Sequence, residues 1–195
     1  MSENKQISAI LLAGGYSSRM GRNKAELDFH GVSFLQHQVN KLRAAGIADI
    51  VVAGYPTCIE GTRSVMDIYP HRGPLSGIHA GLLAVKESKA LVLAVDTPLV
   101  PVSLLEELTG RHRMGITLVS CGGEVEPLIG VYDKKLLPEC EQLLRGSVTS
   151  LRRLFGMVGV STVEYTGDPK LLMNCNTPEE YKKITDIKQR GHIYE

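Results

Sequence analysis

The sequence predicts an α/β fold: a single Rossmann-like, three-layer domain around a mostly parallel central sheet. Two observations predict it. Short apolar runs alternate along the chain with segments of helical periodicity, the pattern of strands joined by crossover helices. The first apolar run, Ile7 to Leu12, leads straight into a glycine-rich connection, where such folds place ligands. A length of 195 residues suits one domain with a sizeable core.

Each element has its own signal. Ile7 to Leu12 is the first strand. Ser33 to Ala45 reads as a helix, with Ser33 as cap, an apolar stripe through Phe34, Leu35, Val39 and Leu42, and Gly46 as stop. Ile50 to Ala53 and Thr62 to Met66 are the next strands. A helix over Gly77 to Lys86 precedes a strongly apolar strand, Ala90 to Val95. Ser103 to Leu108 is a short helix. Ile116 to Ser120 and Pro127 to Tyr132 are strands separated by Gly122-Gly123. Lys134 to Leu144 and Val148 to Phe155 read as helices, and Val160 to Tyr165 as a late strand. Thr177 caps a last helix to Ile184, with Pro178 at its first position. The polar tail from Asp186 to Glu195 is expected to be loosely held.

Composition excludes several classes. Lys and Arg number 22 against 21 Asp and Glu, a net charge of +1, so there is no broad electrostatic footprint for nucleic acid or membrane. No apolar run approaches a membrane span, and the polar first six residues lack a signal-peptide core. Cys58, Cys121, Cys140 and Cys175 are scattered without a C-x-x-C pair, so they are read as reduced thiols in a cytoplasmic protein.

The chemistry concentrates in Leu11 to Lys24, L-L-A-G-G-Y-S-S-R-M-G-R-N-K. Glycines bend the chain sharply and bare backbone N–H groups in a concave loop hold anionic oxygens. Arg19 and Lys24 add two cations, so the loop suits a polyphosphate. The spacing is neither a Walker loop nor a G-x-G-x-x-G fingerprint, and a plain strand-to-helix connection stays open. Asp96, ending the strand from Ala90, suits a hard cation such as Mg²⁺, which favours carboxylate oxygen and shares its shell with phosphates. Asp before Thr97-Pro98 is equally good turn chemistry. Asp67, Gly73-Pro74 and the Asn174 to Glu180 segment have ordinary readings as a surface acid, a turn and a helix cap.

The full pattern L-A-G-G-x-S-x-R-M-G-x-x-K resembles the signature loop of the nucleotidyltransferases that make molybdenum cofactor dinucleotides, related to sugar-nucleotide pyrophosphorylases. The resemblance runs from about Ile7 to Tyr181 with motifs in order. It implies the nucleotidyltransferase version of the fold, with Leu12, Ala13, Gly14 and Gly15 against the nucleotide and Arg19 and Lys24 on its triphosphate. Asp96-Thr97-Pro98 is similar to the D-x-P metal motif, which implies Mg²⁺ on Asp96. Asp67 and Gly73-Pro74-Leu75-Ser76-Gly77 resemble the part of the family pocket near ribose and base. Asn174-Cys175-Asn176-Thr177-Pro178-Glu179-Glu180 resembles N-x-N-T-P-E-D, implying that Asn174 or Asn176 faces the acceptor, with Glu180 a departure from the final Asp. Pro127 to Tyr132 and Ser147 to Leu154 resemble the acceptor-side strand and helix. A polar residue that some relatives carry after the second strand is missing from Val52-Ala53-Gly54-Tyr55, so that contact is absent or made by backbone. His71 and His79 receive no role.

The reaction implied is transfer of a guanylyl group from GTP to the phosphate of molybdenum-molybdopterin, with pyrophosphate leaving. Arg19, Lys24 and Asp96 would be the catalytic set. The resemblance leaves room for cofactor-handling proteins or recipient molybdoenzymes as partners, and none for nucleic acid or membrane. Two alternatives stand beside it: a cytidylyl- or sugar-nucleotide transferase of the same fold, and a nucleotide sensor without catalysis.

Overall fold

The computed structural model describes residues 6–14, 23–146 and 149–186. The first strand, β1 (Ser8–Leu12), ends one residue before the glycines, and all five of its residues are buried. A capped 3-10 turn at Lys24–Glu26 follows. A small hairpin, β2 (Asp28–Phe29) and β3 (Val32–Ser33), then leads into α1 (Phe34–Ala44). The hairpin turns through His30 and Gly31, both at positive φ, the conformation a two-residue loop requires. Strands of two residues leave no periodicity to read, so they carry no sequence signal of their own. Ser33 caps α1 as expected, its hydroxyl accepting the Gln36 N–H at 3.1 Å.

The next elements are β4 (Ile50–Ala53), β5 (Thr62–Val65), α2 (Pro74–Ala84) and β6 (Lys89–Ala94). Helix α2 starts three residues before the expected Gly77, because Pro74 sits in the first turn, where its missing N–H costs nothing. Then come α3 (Val102–Arg111), β7 (Ile116–Cys121) and β8 (Glu124–Asp133). The last two strands meet at Gly122-Gly123, both at positive φ. Strand β8 runs three residues further back than expected, past Pro127. A register shift between Leu118 and Val119 lets the pairing jump from Gly130 to Glu126, so Pro127 sits in the irregular stretch where its lack of an N–H is tolerated.

The expected helix from Lys134 is split. A 3-10 turn, Lys134–Leu136, precedes α4 (Leu137–Arg145), whose first turn contains Pro138. Helix α5 (Leu151–Val158) is capped by Ser150, and β9 (Ser161–Glu164) and α6 (Pro178–Asp186) complete the fold. The expectation of a loose tail falls on 187–195, outside the described residues.

Seven strands form one sheet in the order β5-β4-β1-β6-β8-β7-β9, with β8 antiparallel to both neighbours and every other pairing parallel. Alternating residues of the central strands feed two cores. Ala9, Leu11, Leu91 and Leu93 meet α1 and α3 on one face, and Ile10, Leu12, Val92 and Ala53 meet α2 and α4 on the other. Burial on both faces explains why these strands read as unbroken apolar runs. No helix among the described residues is long and apolar enough to cross a membrane.

Candidate active site

The chain leaves β1 for β4 on one side and later returns to β6 on the other. Helices departing in opposite directions open a crevice beyond the carboxyl ends of these strands, the usual ligand position in an open α/β sheet. A cavity of about 870 Å³ lies there, and its walls come from the ends of β1, β4, β5 and β6, the first turn of α2, and Asn176.

Three polar side chains converge at one end of it. Lys24 Nζ donates to Asp96 Oδ2 at 2.7 Å and to Asn176 Oδ1 at 2.5 Å, across 72 and 152 residues of chain. Each partner has a local reason for its position. Lys24 opens the 3-10 turn that Asn23 caps, the Asn23 Oδ1 accepting the Ala25 N–H at 3.0 Å. Asp96 follows β6, and its carbonyl accepts the Cys175 N–H at 2.8 Å, which ties the two segments together. Asn176 precedes a capping box: Thr177 Oγ1 accepts the Glu180 N–H, and Glu180 Oε2 accepts the N–H groups of Asn176 and Thr177. The departure to Glu at 180 therefore preserves a capping carboxylate. Burial raises the Cys175 thiol to about 11, so it stays protonated beside this cluster.

The site fits a hard divalent cation. Asp96 and Asn176 offer a carboxylate and an amide oxygen to one point, which an ammonium bridges here. Among the described residues no group of three or more His, Cys, Asp or Glu could hold a metal ion alone. A cation here would draw further oxygens from phosphate, the habit of Mg²⁺.

At the other end, Asp67 lies under the first turn of α2. Its Oδ1 is buried without a hydrogen-bond partner among the described residues, and burial pushes the carboxyl above the usual range. A buried acceptor left open is a cost that an incoming donor removes. Leu12, Ala13 and Gly14 line the cavity, but two of their N–H groups are not bare: those of Ala13 and Gly14 both donate to the Ala53 carbonyl, at 3.0 and 3.1 Å. The Leu12 carbonyl likewise accepts the Val95 N–H at 2.9 Å. This stretch of the loop serves first to join β1 to its neighbours.

The structure thus brings Lys24, Asp67, Asp96, Asn176 and the Leu12 to Gly14 backbone around one cavity. Asn174 is exposed and does not line it. Gly15 and Arg19 fall outside the described residues, as does Ser147. Sequence reasoning gave no role to Gly54, which lines the cavity at φ 80°. Its signal was the same as that of Gly14, a glycine directly after an apolar strand. His71 and Leu128 also contribute to the wall.

Comparison with known proteins finds relatives along nearly the whole chain. A family model described as MobA-like NTP transferase domain matches residues 9–162. A probable molybdenum cofactor guanylyltransferase of Carboxydothermus hydrogenoformans is 30% identical over 191 residues, covering 94% of this chain and 97% of the relative. The crystal structure of molybdopterin-guanine dinucleotide biosynthesis protein A from Archaeoglobus fulgidus superposes with a TM-score of 0.78 at 20% identity, over 93% of this chain and 98% of the other. A Mycobacterium tuberculosis protein crystallised as a manganese complex has a TM-score of 0.69 at 16% identity, over 94% and 99%.

Proposed function

The chain belongs to the MobA-like NTP transferase family, and on that premise we propose that this nucleotidyltransferase moves a guanylyl group from GTP to the phosphate of molybdenum-molybdopterin. An acceptor phosphate oxygen attacks the α-phosphorus of GTP. The bond from that phosphorus to the bridging oxygen breaks, its electron pair leaves with pyrophosphate, and the product is molybdopterin guanine dinucleotide.

The observation that carries the reading is the convergence of Lys24, Asp96 and Asn176 beside the end of β1. A phosphate nucleophile is already anionic and needs no strong base, so positioning and charge stabilisation are what the protein must supply. Lys24 has a cation to offer to the β- and γ-phosphates, and Arg19 is assigned the same triphosphate. Asp96, with Asn176 beside it, would hold Mg²⁺, a choice supported by the all-oxygen donor set and by the manganese bound to the mycobacterial protein of the same fold. When bound, Mg²⁺ neutralises phosphate charge and favours departure of pyrophosphate. Asp67 Oδ1 would accept from the ribose or from a base N–H, which gives its open lone pairs a partner. The name of the 30% identical relative supports the guanylyl donor.

A nucleotide panel with purified molybdopterin tests the proposal, with pyrophosphate and dinucleotide read together. GTP should give both products and CTP and ATP little of either. Equal or preferred use of CTP would assign the chain to cytidylyl transfer, and nucleotide binding without pyrophosphate release would make it a sensor.

A further inference from the structure

Helix α1 carries polar residues where its spacing calls for apolar ones. Phe34, Leu35, Gln38, Lys41 and Leu42 fall on one stripe, and Gln38 and Lys41 are fully buried, with His37 beside them at 1% exposure. An unpaired amine and an amide are poor material for a core. What they meet is the turn that bears Asp96. Gln38 Nε2 donates to the carbonyls of Ala94 and Thr97 at 3.0 and 2.9 Å. Lys41 Nζ donates to the Pro98 carbonyl at 2.6 Å, and His37 Nε2 lies 2.9 Å from the same oxygen.

With the Cys175 N–H on the Asp96 carbonyl, the backbone oxygens of residues 94, 96, 97 and 98 are all held from outside the turn. Gln38 turns both amide hydrogens to this task and leaves its Oε1 buried without a partner among the described residues. We infer that Gln38 and Lys41, with His37, are positioning residues that fix the Asp96 turn and thereby aim its carboxylate. The inference rests on the reading of Asp96 as the metal-binding residue. A carboxylate on a short turn needs such a scaffold, because misplacing a catalytic group by an ångström can cost about a hundredfold in rate. The arrangement is also held against a penalty: burial lowers Lys41 to about 7 and His37 to about 4.

The test separates aim from folding. Lys41→Met replaces a desolvated amine by an apolar chain of similar length, a change that is neutral or stabilising for a core, and the Pro98 carbonyl keeps His37. Gln38→Leu is the second variant. Measure Tm, kcat and KM for GTP on the full chain, and Mn²⁺ affinity of the GTP complex by electron paramagnetic resonance without acceptor. We expect Lys41→Met to keep or raise Tm while kcat falls by about tenfold or more, KM for GTP changes little, and Mn²⁺ binds more weakly. A folded variant with wild-type kcat and Mn²⁺ affinity overturns the inference. So does failure of both variants to fold, which would make the set a folding element. Asp96→Asn is the control: wild-type turnover there would remove the underlying site reading instead.

Discussion

Gly14 and Gly54 stand back to back at the ends of β1 and β4, so close that a Cβ on Gly14 would lie 2.9 Å from Gly54 Cα and one on Gly54 only 2.7 Å from Gly14 Cα. Both line the cavity, so the backbones there approach as only two glycines allow. A methyl at position 14 would first meet protein, not ligand. Gly14→Ala should therefore destabilise the fold by about 1–3 kcal/mol, the usual cost of overpacking a rigid site. Chemical denaturation measures this, and a variant with unchanged midpoint would show that the loop yields freely. Gly54→Ala should cost more, since its φ of 80° adds backbone strain.

Lys24 bridges Asp96 and Asn176. If it moves to the triphosphate as pyrophosphate departs, its contribution grows in the transition state. Lys24→Ala should slow single-turnover transfer at saturating GTP by on the order of a hundredfold, as loss of a preorganised charge-stabilising group does. Its Tm should fall only modestly, because the lysine pairs with Asp96 at the cavity wall, outside the two apolar cores. An unchanged rate with weaker GTP binding would make Lys24 a binding residue only.

Asp96→Asn keeps the shape of the side chain and removes its charge. Turnover should be largely abolished while circular dichroism and Tm stay near wild type. The turn is held through backbone carbonyls at 94, 96, 97 and 98, none of which depends on the carboxylate. Near wild-type activity at limiting Mg²⁺ would remove the metal assignment.

Stability should depend on Lys41 in alkaline solution. Its folded value of about 7 lies below the ordinary 10.5, so between these limits the unfolded chain binds more protons than the folded one. Stability then rises with pH across that window. The unfolding free energy of wild type minus that of Lys41→Met should accordingly increase from pH 7 to pH 10. A flat difference would mean that the amine stays charged in the core. His37 acts in the same sense at lower pH: its value of about 4 against 6.5 predicts stability lost as pH falls through 6.5. Denaturant titrations of His37→Phe alongside wild type would check this slope.

Residue pattern alone reveals the strands of the main sheet and the family resemblance, though not the order in which the strands lie. Strands buried on both faces need continuous apolar residues, so Ser8–Leu12, Ile50–Ala53 and Lys89–Ala94 were legible as strands to within a residue or two. Glycine and Asp at strand ends likewise betrayed the cavity, since local backbone demands leave a mark on residue type. Tertiary structure decided what those residues touch. Only the strand order, reversing between β4 and β6 around β1, brings Lys24 within 2.5 Å of Asn176 across 152 residues. The two-residue strands at 28–33 escaped because their pairing is fixed by a turn instead of by periodicity. Gln38 and Lys41 showed only as flaws in an apolar stripe, and their meaning lay in carbonyl groups more than fifty residues away. Hydrogen bonds to backbone oxygen place no demand on the residue type that carries the oxygen, so that relationship has no trace in sequence and exists only in the folded chain.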